Sequence, residues 1–188
     1  MSEWPVTGGP ADRTAGGGPQ GEWRVRPSIE DDWRAYRALR FEMLEDTPLA
    51  YLETLDQARM HPDEHWRNRS ANRSDSSRLF AAVADDGHWI GSMGGFHATG
   101  ARFPYLVGVY VTPAYRGPEY GVTDALLDAV LGWARQRSDR LLLQVHEQNE
   151  RAIRSYRRRG FQPTGRTDPY PLDPSGREIE MVLDLSTS

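Results

Sequence analysis

The chain has 188 residues, no cysteine and a formal net charge of −4. That length suits one domain of ordinary size, and the missing thiols exclude a disulfide framework, a thiolate metal site and a cysteine nucleophile. All 23 basic residues are arginine, which also excludes Schiff-base chemistry and the phosphate-gripping lysine of a nucleotide P-loop.

The weak negative charge argues against a nucleic-acid binder with a basic footprint, and no stretch approaches the roughly 20 apolar residues of a membrane span. Residues 1–21 are dense in Gly and Pro and predict a flexible tail, leaving 22–188 as the folded domain. With neither a basic leader nor an apolar run at its start, the chain reads as cytoplasmic.

Trp23 to Arg26 predicts a short strand. Pro27-Ser28 then opens a helix that Ser28 caps and Glu30, Asp31 and Asp32 favour at its positive end, with Trp33, Tyr36, Leu39 and Met43 as the buried stripe. Thr47-Pro48 breaks this pattern. Leu52, Leu55 and Arg59 suggest a second short helix, and Pro62-Asp63 starts a third that carries Trp66.

From Arg78 the period changes to that of strands: LFAAVA, an Asp86-Gly87 turn, HWIGSMGGF, and then FPYLVGVYV ending at Val111. Gly94 and Gly95 fit a bulge. Val122, Ala125, Leu126, Ala129, Val130, Trp133 and Ala134 mark the most regular helix. RLLLQV is a further strand, NERAIRSYRRRG a helix capped by Asn149 and closed by Gly160, and REIEMVLDL the last strand. The order implies a mixed sheet covered by helices.

The stretch YRGPEYGVTD before the regular helix holds the chemistry. First-turn amides of a helix have no intrahelical acceptor and carry about half a positive charge, so they suit an anion. Gly117 and Gly121 allow close backbone approach, and Arg116 adds a charge that never titrates away. A plain strand-to-helix turn explains the same local pattern.

VTPAYRG at residues 111–117 followed by DALLDAVLGWA, and LLLQVHEQNERAIRSYRRRGF further on, together resemble the GNAT superfamily of acetyl-CoA-dependent N-acetyltransferases over residues 23–185. The resemblance implies a mixed, largely antiparallel α/β sheet of about six or seven strands, flanked by helices and splayed at the cofactor site. It implies acetyl-CoA as co-substrate and an amine acceptor, with no metal. By it, the turn residues Arg116, Gly117, Gly121, Val122, Thr123 and Asp124 hold the pyrophosphate. The strand Val109, Tyr110 and Val111 pairs with the pantetheine arm, Asn149 contacts that arm, and Tyr156 assists the departing thiolate as the catalytic residue. Apolar edges of such sheets often pair, which makes a homodimer a candidate assembly.

Three departures stand out. Four residues separate Arg116 from Gly121 where the family pattern has two, and Thr123 replaces a Gly or Ala. Glu119 adds a negative charge to the turn. Tyr105 stands where many members carry a glutamate base, which leaves the base unassigned, with His97 as one candidate. The acidic residues Glu42, Glu45, Asp46, Glu53 and Asp56 suit a cationic acceptor or a solvated helix face. A non-catalytic acyl-CoA-binding regulatory module, and a scaffold that has lost the ligand, are the alternatives.

Overall fold

The computed structural model describes residues 22–186, so the expected tail at 1–21 lies outside the described residues. The first strand, β1 (Trp23–Pro27), leads to a helix that begins later than the capping pattern suggests, as α1 (Trp33–Asp46). Ser28 does not cap it. Its hydroxyl donates to the Ser70 carbonyl at 2.7 Å, and Asp32 instead accepts the Ile29 amide at 2.8 Å while pairing with Arg26. Two short helices follow: α2 (Leu55–Met60), capped by the Thr54 hydroxyl so that Leu52 falls outside it and is exposed, and α3 (Asp63–Ser70), with Pro62 before its first turn.

The hairpin of β2 (Ser77–Ala84) and β3 (Trp89–Phe96) turns at Gly87, whose φ of 86° is left-handed. Then come β4 (Tyr105–Val111), α4 (Val122–Arg135), β5 (Arg140–His146), α5 (Glu150–Arg158), β6 (Gln162–Tyr170) and β7 (Asp173–Asp184). They form one seven-stranded sheet in the order β1-β2-β3-β4-β5-β7-β6, antiparallel except where β4 meets β5. β6 was not legible in the sequence. It is an outermost strand paired only with β7, and its residues QPTGRTDPY lack the apolar alternation that burial imposes on interior strands.

Each face of the sheet has its own core. α4 and α5 cover one face, where Leu126, Val130, Leu141, Leu143, Phe161 and Met181 are buried. The helices α1–α3 cover the other through Trp33, Tyr36, Met43, Trp66 and Trp89. Full burial of a side chain such as Leu126 contributes roughly 1.5–3 kcal/mol. Gly95 is the contact that lets α4 approach β3: a Cβ there would lie 2.3 Å from the Trp133 ring.

Two irregularities shape the centre. Between the pairs Ser92–Tyr110 and Gly94–Val107, β4 takes one more residue than β3, and Gly108 absorbs it with a φ of 60°. The expected bulge therefore falls opposite Gly94, on β4. Next to it, β4 and β5 share only the Tyr105–Leu142 pair before they diverge. The sheet is splayed there, and a cleft opens between its two halves.

Candidate active site

The cleft has a volume of about 1390 Å³ and is lined from both faces of the sheet. Its central wall is the free edge of β4. The Thr112 amide bonds the Ile90 carbonyl at 2.9 Å, and the alternation of an antiparallel ladder then turns Tyr110 towards β3 and both Val109 and Val111 towards the gap. Tyr110 lines the cleft, but its hydroxyl donates to Glu42 at 3.0 Å and its backbone pairs opposite Ser92. Burial, with the Glu42 carboxylate beside it, pushes the Tyr110 phenol well up, so it stays protonated.

Both carbonyls on that edge already have donors. Tyr51 donates to the Val109 oxygen at 2.9 Å, and Arg116 Nε donates to the Val111 oxygen at 2.6 Å. Arg116 also forms an ion pair with Asp46 and lies over the Tyr110 ring at 5.1 Å. Tyr51 comes from the irregular segment between α1 and α2, where no period marks it in the sequence. Tyr170 donates to its carbonyl at 2.8 Å and the Arg40 guanidinium lies 4.7 Å from its ring centre. Burial pushes the Tyr51 phenol up to about 12, which fixes it as a donor.

The turn after β4 ends at Gly121, with a φ of 67°, and α4 starts without a side-chain cap. The amides of Gly121, Val122, Thr123 and Asp124 therefore have no acceptor among the described residues. Thr123 lines the cleft beside Arg116 and Leu127, whereas Gly117, Gly121, Val122 and Asp124 flank that wall. In the longer turn, the exposed Glu119 folds its carboxylate back onto Gly117, where a Cβ would lie 2.3 Å from Oε2. Asp124 binds Arg159 at 2.6 Å, and Arg159 also donates to the Ser155 hydroxyl at 2.6 Å. This joins the start of α4 to the end of α5.

α5 supplies the opposite wall. Asn149 caps it by accepting the Ala152 amide at 3.1 Å on its side-chain oxygen, leaving its side-chain nitrogen without a hydrogen bond among the described residues. Tyr156 packs edge-on against Phe161 at 5.7 Å and keeps some surface open to the cleft, and its hydroxyl makes no hydrogen bond among the described residues. Burial pushes its phenol well above the usual value, and the Tyr51 hydroxyl across the gap adds to the rise. Two protonated phenols, one from each face of the sheet, thus meet at the splay.

The acidic segment expected to meet a cationic acceptor is occupied internally. Glu42 accepts Tyr110, Glu45 pairs with Arg59 at 3.3 Å, Asp46 holds Arg116, and Glu53 binds Arg40 at 2.9 Å and His61 at 2.7 Å. His97 does not reach the cleft wall, and its Nε2 lies 2.9 Å from the Ala101 carbonyl. Tyr105, in place of a glutamate, donates to Glu180 at 3.2 Å.

The acetyltransferase (GNAT) family model matches residues 35–161. A comparison with curated proteins gives no match. Among solved structures, a GNAT-family acetyltransferase from Streptococcus pneumoniae aligns with a TM-score of 0.72 at 18% identity, covering 88% of this chain and 100% of that one. A GCN5-related N-acetyltransferase from Kribbella flavida gives 0.67 at 24% identity, covering 87% and 98%. An acetyltransferase from Salmonella typhimurium, solved with its cofactor acetyl-CoA, gives 0.67 at 18% identity, covering 88% and 95%. With the family model spanning most of the chain, the chain belongs to the GNAT family of acetyltransferases, whose co-substrate is acetyl-CoA.

Proposed function

We propose that the protein transfers the acetyl group of acetyl-CoA to a primary amine, of a small molecule or a protein, by direct attack in a ternary complex. The observation that carries this reading is the free edge of β4, which faces a gap with Tyr156 on its far side and four unpaired amides at its end. Those features fit a diphosphate joined to an arm that itself carries amides. In this reading the amides of Gly121, Val122, Thr123 and Asp124, with Gly117 and Arg116 in the turn, receive the diphosphate. Charge-assisted hydrogen bonds contribute roughly 1.5 to 3 kcal/mol each, enough for such a set to dominate affinity.

The amides of Val109 and Val111 and the side chain of Asn149 pair with the arm, and an amide of this edge steadies the developing oxyanion. Acetyl-CoA supplies a thioester already activated towards amines. Tyr156 donates a hydrogen bond to the leaving sulfur. Full proton transfer from a phenol near pKa 10 to a thiolate near 8.5 costs about 2 kcal/mol before any site effect, and burial of Tyr156 adds to that. Hydrogen bonding, rather than complete transfer, is therefore its role. The transferase domain in this reading begins at residue 22.

Thermal unfolding with acetyl-CoA and with free coenzyme A, followed by thiol release across a panel of primary amines, tests the proposal. Stabilisation by both compounds together with turnover of at least one amine is expected. Stabilisation with no turnover on any amine points instead to a binding module, and no stabilisation by either overturns the reading.

A further inference from the structure

The transfer reading leaves one task without a residue: removing a proton from the incoming amine. Tyr105 holds the family's usual place for that group and is bound to Glu180, and His97 is not part of the cleft lining and is engaged with the Ala101 carbonyl. One carboxylate on the cleft wall remains without a partner. Glu178 on β7 lines the cleft, is partly buried, and makes no hydrogen bond or ion pair among the described residues.

Its position follows from the strand register. Val145 on β5 lies opposite Ile179 on β7, and both belong to the core under α4 and α5. The neighbouring pair, His146 and Glu178, must project from the other face, towards α1 and α2. A connected path leads from there to the splay: the His146 ring meets Tyr170 at 4.8 Å, Tyr170 donates to the Tyr51 carbonyl, and Tyr51 donates to Val109 on the free edge of β4. Tyr156 reaches the same splay from α5 on the opposite face. Nucleophile and leaving group would then be served from different faces of the sheet, which keeps the base and the thiolate's hydrogen-bond donor apart on either side of the acetyl carbon.

We propose that Glu178 is the general base that takes the proton from the acceptor amine, an inference that rests on the acetyl-transfer reading. Glu178 takes one proton from the bound ammonium ion and passes it to solvent; the freed amine nitrogen bonds to the acetyl carbon, the carbon–sulfur bond breaks, the second nitrogen proton is lost to solvent as the adduct collapses, and the thiolate leaves against Tyr156. The groups that set its titration are His146 from β5 and Asp168 from β6, the latter paired with Arg166 at 3.2 Å, with the Tyr170 hydroxyl nearby. Burial is the largest influence and raises the Glu178 carboxyl above its usual range, Asp168 adds to this, and His146 opposes it. A base raised towards neutrality is better matched to its task than an ordinary carboxylate.

The test compares wild type with Glu178→Gln at pH 7 on two nucleophiles: the best alkylamine of the panel, which arrives as an ammonium ion, and hydroxylamine, which arrives neutral. The variant is expected to lose about 100-fold or more in kcat/KM with the alkylamine. The acidic limb of its pH profile should flatten, while turnover of hydroxylamine and the Kd for acetyl-CoA stay within threefold. A carboxyl with a raised folded-state pKa gives up stability as pH rises through that value, so removing its charge should raise the apo Tm at pH 7, by about 2 °C.

Alkylamine turnover within threefold of wild type with the acidic limb intact would overturn the assignment. So would a fall in Tm with equal losses on both nucleophiles, which is the signature of a structural role. A wild-type protein that acetylates no amine while binding acetyl-CoA defeats the transfer reading itself, and this inference with it.

Discussion

At the residue scale the site depends on hydroxyls and ion pairs held by burial. Tyr156→Phe removes one donor to the leaving sulfur. If that bond is worth 1.5 to 3 kcal/mol in the transition state, turnover falls by about 10- to 100-fold with acetyl-CoA affinity unchanged, and steady-state kinetics beside calorimetry will show it. Glu53 is a structural counterpart. Burial alone would raise its carboxyl, but Arg40, with help from His61, brings it net below the ordinary range. A depressed carboxyl contributes stability above its unfolded pKa and loses it as pH falls through the folded one. Glu53→Gln leaves the buried Arg40 unpaired and should destabilise the protein by about 3 kcal/mol at pH 7. Thermal melts of the two proteins should converge only as pH falls below the ordinary carboxylate range and through the depressed value at which Glu53 in the folded protein is itself protonated.

Few of these partnerships were legible in the sequence. The cap at Asn149 and the closing Gly160 were, because caps use neighbours within a few residues. The ties of Arg116 to Asp46 and of Tyr51 to Val109 span 70 and 58 positions, and nothing local announces them. For the same reason the acidic run before residue 60 read either as a surface for a cation or as a solvated helix face, although Glu42, Asp46 and Glu53 have partners elsewhere in the fold.

At the element scale, β4 is the decisive strand. Its left-handed Gly108 takes up the extra residue, and a side chain there would bear the strain of a positive φ. Gly108→Val should destabilise by about 1 to 2 kcal/mol in urea melts and weaken acetyl-CoA more than this loss alone would, because the free edge is displaced. The ion pair holding Arg116 offers a second test. Asp46→Asn releases the guanidinium towards the turn, and the Kd for acetyl-CoA should tighten about fivefold, whereas a weaker Kd would mean that Asp46 positions Arg116 for the ligand. Periodicity revealed β4 and α4 because each buries a regular face. It did not reveal β6, whose polar, proline-bearing residues are tolerated only at a sheet edge. The late start of α1 escaped for another reason: Ser28 fulfils its hydrogen bonding with Ser70, a residue 42 positions away.

At the scale of the whole molecule, two aromatic and aliphatic cores clamp a sheet whose halves separate at one place, so that a ligand can contact backbone from both halves at once. Among the described residues no helix is long and apolar enough to cross a membrane. Pairing of two copies through a sheet edge is a separate expectation that sedimentation velocity would decide. The central claim is that acetyl-CoA lies along the free edge of β4 with its diphosphate at the start of α4. Amide hydrogen exchange with and without acetyl-CoA tests it most directly. Protection concentrated at Val109, Val111 and residues 121–124 is the expected result; protection elsewhere with these amides unchanged would contradict it.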